Sequence, residues 1–369
     1  MTERRQHFAW IVAGLVGFAV LDAGGSAWAQ SAVRDQTGTV IATPTDQQTK
    51  SWLEQRFGGS FLDLSTYIGS GSFYTSGYRD PYVSNALNFR PSYLLNPKYK
   101  LTLNGRVYLE EEYTQPDLPN GRRFNILDSW IFLSAKNLYT MPRAKVTFSG
   151  TVRTVIPLSY ESRYAHLATA LGIGLGAMRP FEFGQPNAQG KRWNLVLSLS
   201  SSFSKPVYTS ETRGLYPGDT SNCRLTGNNG ATGSGGGTPG DDRCGGPLNT
   251  NFSFSSNGMV ALSHGNWSFT AMLSVINEFK YSVDNATLLA IYQHADPRFQ
   301  NVQGRADLTW GIVSVGYDLT EHLGLSAGLA SLQPALDSRY RYLRFPFFDF
   351  SGANANNFTQ VFVGVTGTL

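Results

Sequence analysis

The chain alternates. From Phe61 onward it contains about a dozen short runs in which apolar and polar residues take turns, and this period of two constrains the fold more than any other feature. Successive side chains of a strand point to opposite faces, so each run has one apolar and one polar side. Leu101, Leu103, Gly105, Val107 and Leu109 share one face; Thr102, Asn104, Arg106, Tyr108 and Glu110 share the other. Trp193, Leu195, Leu197 and Leu199 alternate with Asn194, Val196, Ser198 and Ser200. Trp267, Phe269, Ala271, Leu273 and Val275 alternate with Ser268, Thr270, Met272 and Ser274. These runs have the length, about 9–11 residues, that a tilted strand needs to cross a bilayer. In hydrocarbon every backbone N–H and C=O must be paired, so only helices and closed barrels span it. The sequence holds no apolar stretch long enough for a spanning helix. It therefore predicts an all-β, antiparallel, up-and-down transmembrane barrel over residues 61–369.

The runs fall near 61–70, 82–95, 99–112, 124–136, 144–157, 165–178, 191–208, 250–264, 266–280, 302–318, 322–332 and 358–369. Twelve strands is the expected count. Residues 339–350 alternate in part, so ten or fourteen stay open. Short connections such as Asn96-Pro97-Lys98, His264-Gly265-Asn266 and Leu319-Thr320-Glu321 alternate with mostly longer ones near 70–81, 113–123, 209–249, 281–301 and 333–357. A barrel with short turns at one end and long loops at the other has this rhythm. The connection at 179–190 is long for a turn end.

Ahead of the runs, Arg4 and Arg5 precede an apolar core from Trp10 to Leu21, and Ala27-Trp28-Ala29 supplies small residues at a cleavage position. This reads as a secretory signal peptide over 1–29, with a mature protein starting at Gln30. Residues 30–60 show no alternation. Within them Thr45 or Asp46 through Gly58 fits a short helix with Trp52, Leu53 and Phe57 on its edge. That segment is expected in the periplasm or folded into the barrel as a plug. Charged residues make up 15% of the chain, below the roughly 25% usual for soluble domains. The net charge of +4 is too mild to indicate nucleic acid as a partner. Cys223 and Cys244 lie in one Gly/Asn/Ser-rich stretch, and in an oxidising compartment they are expected to form a disulfide that staples a long outer loop. No phosphate loop, HExxH or zinc-ligand spacing occurs, so no cofactor or metal is expected.

Taken together, these residues resemble the outer-membrane β-barrels of Gram-negative bacteria as a class, and mid-sized channels of about twelve strands in particular. The resemblance covers 61–369 and rests on periodicity, so it carries over no site. It implies the bacterial outer membrane as location, with outer-membrane lipid and lipopolysaccharide as surroundings. Such barrels typically end in an aromatic residue; this chain ends in Leu369, after Val361, Val363, Val365 and Gly367 on one face.

If the apolar faces meet lipid, the lumen receives Arg90, Arg106, Asp128, Arg153, Glu278, Lys280, Arg305 and Asp307, with Glu110 and Lys145 nearer the ends. Charges in a narrow wet lumen set ion preference. The competing reading is that Arg and Asp on neighbouring strands pair and stiffen the wall. Small residues such as Gly172, Gly174, Gly176, Ser198, Ser200, Ser202, Gly324, Ser326 and Gly328 leave space for water or a plug. The connection at 333–357 gathers Tyr340, Tyr342, Phe345, Phe347, Phe348 and Phe350 with Arg339, Arg341 and Arg344. It is expected to constrict the lumen, to meet a partner, or to lie in the outer aromatic girdle with its arginines on lipopolysaccharide phosphates.

The leading expectation is an outer-membrane channel for passive passage of small hydrophilic solutes. The alternative is a non-conducting structural or surface-binding barrel, which would lose a partner on loop deletion. A lipid hydrolase ranks third. It would need a nucleophile beside an oriented base, and Ser159 or Ser162 with His166 is the only pair placed for it.

Overall fold

The computed structural model describes residues 52–73, 82–114, 122–186, 192–210, 249–281, 305–335, 345, 347–348, 350 and 358–369. The expected signal peptide, residues 30–51, Cys223, Cys244, Arg341 and Arg344 lie outside them. Twelve strands follow in order: β1 (Phe61–Gly69), β2 (Val83–Arg90 and Ser92–Asn96), β3 (Leu101–Glu112), β4 (Arg123–Ile126 and Ser129–Met141), β5 (Val146–Ile156), β6 (Leu167–Phe183), β7 (Trp193–Tyr208), β8 (Thr250–His264), β9 (Trp267–Lys280), β10 (Arg305–Asp318), β11 (Leu323–Pro334) and β12 (Phe358–Thr368). Each pairs antiparallel with the next. β12 returns to β1 with Phe61 opposite Thr368, which closes the barrel and leaves no edge.

Two strands are interrupted, which yields fourteen strand segments from twelve strands. In β2 the break is Pro91, which has no N–H to give, although its carbonyl accepts from Gly105 N–H at 3.0 Å. In β4 the break is Leu127–Asp128, where Leu127 N–H still reaches the Tyr108 carbonyl at 3.0 Å. The turn at 179–190 is shorter than the sequence suggests. β6 runs on to Phe183, and its pairing with β7 holds out to Phe183 opposite Trp193, whose rings stack 6.4 Å apart.

Both ends of the described chain meet at the end with short turns, where Gly59 N–H donates to the Leu369 carbonyl at 3.3 Å. A six-residue helix α1 (Trp52–Phe57) leads into β1 there. Its Phe57 ring packs edge-on against Tyr93 at 5.3 Å, and Arg56 donates to the Leu94 carbonyl at 3.1 Å. Tyr93 stands opposite the outward-facing Leu103, so α1 sits on the outer side of the rim and not in the lumen.

The outward faces form an apolar belt. Leu64, Leu103, Val107, Ile131, Val152, Leu171, Ile173, Leu199, Val260 and Val363 all stand exposed on it. Aromatic rings edge it at both ends. At the turn end Trp193 stacks on His264 at 4.4 Å, and Trp267 meets Tyr317 at 4.7 Å. At the loop end Phe203, Phe252, Phe254 and Phe279 cluster, with Phe252 and Phe279 stacked at 4.6 Å. From Trp193 to Phe203, at roughly 3.3 Å per residue and a tilt of roughly 40°, the belt measures about 25 Å along the barrel axis. Charge resumes beyond it: Lys205 reaches Asn251 and the Tyr281 ring, and Tyr113 donates to Glu111 at 3.0 Å.

Candidate functional site

The interior is filled unevenly. On one side Tyr67 of β1, Ala86 of β2 and Tyr108 of β3 pack against Met272 and Ile276 of β9, Trp310 and Ile312 of β10, Leu332 of β11 and Phe362 of β12. These inward apolar groups meet across the lumen, so this half is a packed core. Gly328 belongs to it: a Cβ there would come within 2.4 Å of the Val313 carbonyl and 2.7 Å of the Phe362 ring. Only glycine lets β11 approach so closely.

The other side is open. A cavity of about 220 Å³ lies along β4–β8. Its wall carries Ser134, Ser149, Thr151, Gly174, Gly176, Ser200, Ser202, Ser255 and Asn257, and Trp310 and Ile276 of the packed half close its far side. Small side chains alternating with outward leucines leave this space, because none of them reaches across. Asn257 orders part of the wall by accepting from Ser274 and donating to Ser200.

Among the described residues, two charged side chains line the cavity, Arg90 and Arg153. Arg153 stands directly opposite Phe132 across the β4–β5 ladder and lies 4.8 Å from the centre of the Trp130 ring. Arg90 lies 4.4 Å from the centre of the Phe132 ring. Gly172 faces Arg153 on the next strand, and a Cβ there would come within 2.6 Å of Nε. The glycine thus gives the guanidinium its resting place, a dependence the sequence pattern does not show.

Most of the other expected lumen charges sit elsewhere. Arg106 does face inward, but it is 1% exposed and buried between the Tyr108 and Trp130 rings, 5.4 and 5.2 Å from their centres. Glu110 faces inward at the loop end and accepts from Tyr82, which in turn accepts from Ser84. Glu278 and Lys280, two apart on one face of β9, pair with each other at 2.8 Å in a buried site that includes Thr250. Lys145 is a turn residue with φ of 53°, exposed outside the lumen. Asp307 is a correction: it stands opposite outward-facing Asn277, which donates to it at 2.6 Å, so it faces away from the lumen. Position 305 shares that outward register. Inward Leu308, Trp310 and Ile312 are apolar like outward Val313 and Val315, so the middle of β10 carries no contrast in the sequence by which to choose the face.

Asp128 is a second correction. It leaves the β4 ladder and holds the connection after β5. Its carboxylate accepts from Leu158 N–H and Ser159 N–H, each at 2.9 Å, and from the Ser162 hydroxyl. Ser159 Oγ accepts from Ser162 N–H at 3.1 Å and starts the short helix α2 (Tyr160–Tyr164). Both serines are thus committed to a buried knot, and no hydrogen bond joins either of them to His166 among the described residues. The hydrolase pair is not assembled. Asp128→Ala, which strands three donors, is expected to cost about 1–3 kcal/mol, read as a lower urea midpoint in refolded vesicles.

The aromatic connection does not enter the lumen where it is described. Gly311 lies between the inward residues Trp310 and Ile312, so its missing side chain would point outward. In that direction it meets Phe348 at 3.6 Å and Phe347 at 3.8 Å. These two phenylalanines cover the outer wall of β10. Phe345 is 77% exposed, and Phe350 meets Phe73 at 6.4 Å.

The fold defines the class: the chain is a closed, up-and-down, antiparallel β-barrel of twelve strands. No family model matches it, and no curated protein matches its sequence. Among solved structures it is similar to the COG4313 outer membrane channel from Pseudomonas putida F1, at 12% identity and a TM-score of 0.42 over 89% of this chain and 100% of that one. It is also similar to the translocator domain of the autotransporter NalP from Neisseria meningitidis (9%, 0.36, 92% and 96%). A third is outer membrane phospholipase A from Escherichia coli (11%, 0.32, 90% and 98%). At these values the likeness carries no argument about a site or an activity.

Proposed function

We propose that the protein is an outer-membrane channel for small hydrophilic solutes, and that the route follows the β4–β8 side of the lumen. The observation that carries this reading is the polar cavity lined by serines, threonine and asparagine on strands whose opposite faces form the apolar belt. A belt about 25 Å tall with aromatic rings at both edges suits a bilayer, and hydroxyl walls suit water and polar solutes. The packed half narrows the route to a crescent, so only small solutes are expected to pass. Turns and termini face the periplasm on this reading, and export depends on the signal peptide.

The test is single-channel conductance of the refolded chain from Gln30 in a planar bilayer, with and without residues 30–57. Stable conductance from the full mature chain is expected. Conductance that appears only after the deletion would mark the segment ahead of α1 as a plug. Silence from both, with folding verified, would favour the second reading, a non-conducting barrel with a surface role. The apolar cluster filling half the lumen is the observation that favours that alternative.

A further inference from the structure

We propose that the β2–β3 and β4–β5 turns form a docking site for anionic phospholipid headgroups, at the bilayer surface on the turn side of the barrel. This goes beyond the channel reading and needs only a barrel seated in a bilayer.

Three observations carry it. The first is a repeated turn. Pro97-Lys98-Tyr99-Lys100 joins β2 to β3, and Pro142-Arg143-Ala144-Lys145 joins β4 to β5, so proline, a cation, one further residue and a lysine recur in that order. In both turns the last lysine is left-handed, with φ of 47° at Lys100 and 53° at Lys145. Glycine or asparagine holds that conformation at less cost, so the turn shape alone does not call for lysine there. The two hairpins are neighbours. Lys136 N–H and Asn137 N–H donate to the Lys100 and Tyr99 carbonyls at 3.4 and 3.1 Å, which sets the first turn against the stem of the second hairpin.

The second is the state of the charges. Lys98, Lys100, Arg143 and Lys145 are all exposed. Among the described residues none of the four has an ion pair or a side-chain hydrogen bond; Lys98 lies 5.2 Å from the centre of the Tyr99 ring. Neither turn contains a carboxylate. The described carboxylates toward this end belong to other segments: Glu54 to α1, inward Asp63 to β1, Glu182 to β6, Asp318 to β10 and Glu321 to the β10–β11 turn.

The third is what adjoins them. The outward faces of both hairpins stay apolar up to the cations. Leu103 and Leu101 lead to the first turn, and Tyr139 stacks on Phe148 at 6.3 Å just short of the second. Tyr139 and Tyr99 are 57% and 41% exposed. Tyrosines at the edge of an apolar belt sit at headgroup level, and lysine and arginine placed there attract anionic lipid. A soluble acidic protein would leave the apolar groups uncovered; a lipid headgroup with its chains covers both.

The experiment uses the mature chain refolded in phosphatidylcholine vesicles, with spin-labelled phosphatidylglycerol or spin-labelled phosphatidylcholine as the probe. Electron spin resonance reads the fraction of each probe held at the protein surface. Phosphatidylglycerol is expected to be preferred about twofold or more, and less so in about 0.5 M potassium chloride. Replacing Lys98, Lys100, Arg143 and Lys145 together by glutamine is expected to bring the ratio to about one. Lys98→Arg with Lys100→Arg and Lys145→Arg keeps the charge and is expected to keep the preference. If the fourfold variant misfolds, Lys98→Gln with Arg143→Gln, which leaves both left-handed positions untouched, is expected to remove about half of the preference. Equal association of the two probes with the native chain would overturn the proposal and leave the turns to a soluble acidic partner. A preference that survives the glutamine variants in folded barrels would overturn it as well. Neither result bears on conductance, so the channel reading stands or falls separately.

Discussion

Replacing Trp310 by alanine is expected to open the barrel and weaken it at once. Trp310 is 1% exposed and belongs both to the apolar cluster and to the wall of the cavity. Losing a buried indole costs about 3–5 kcal/mol when the surroundings do not collapse. Its neighbours Ile276, Ile312 and Phe362 are fixed on a closed ladder, which limits collapse. The vacated volume adjoins the polar crescent and joins it. Unitary conductance is therefore expected to rise roughly twofold or more, alongside a lower urea midpoint in vesicles. Unchanged conductance from a folded, destabilised Trp310→Ala barrel would show that the permeation route does not pass Trp310.

The second large effect is at the lipid face. Leu199 is 70% exposed and lies between Trp193 and Phe203, the two aromatic edges of the belt. A charged side chain at the midplane of a barrel's lipid face costs about 2–4 kcal/mol. Leu199→Arg is expected to lower folding stability in vesicles by that amount. Ser200→Arg, one residue on, faces the cavity and is expected to be far milder for stability while lowering conductance. A neutral Leu199→Arg beside a severe Ser200→Arg would mean that the faces of β7 are reversed.

These two substitutions also separate what could be read in the chain from what could not. The face of Leu199 is set by the period of two, and so is the inward face of Arg106, because Leu101, Leu103 and Leu109 of β3 and Leu195, Leu197 and Leu199 of β7 alternate with mostly polar residues. β10 offers no such contrast. Trp310 and Ile312 point in while Val313 and Val315 point out, and Asp307 accordingly falls on the face opposite to the expected one. Depth was equally hidden. Arg106 and Arg153 look alike in sequence, yet one is buried between rings and the other borders open space, because Gly172 makes room for it. Asp128 reads as one more wall charge until the chain after Ile156 folds back onto it.

An antiparallel barrel of about twelve strands with an apolar outer belt was legible in the residues alone, because alternation is a local property and strands exposed to lipid have no other way to pair their backbones. How the lumen is divided depends on contacts made after closure. The cluster that fills one half joins β1–β3 to β9–β12, residues far apart in the chain that meet only after the ring has closed. The small residues of β6–β8 have no such partners, so their side stays open, with Arg90 and Arg153 on its wall.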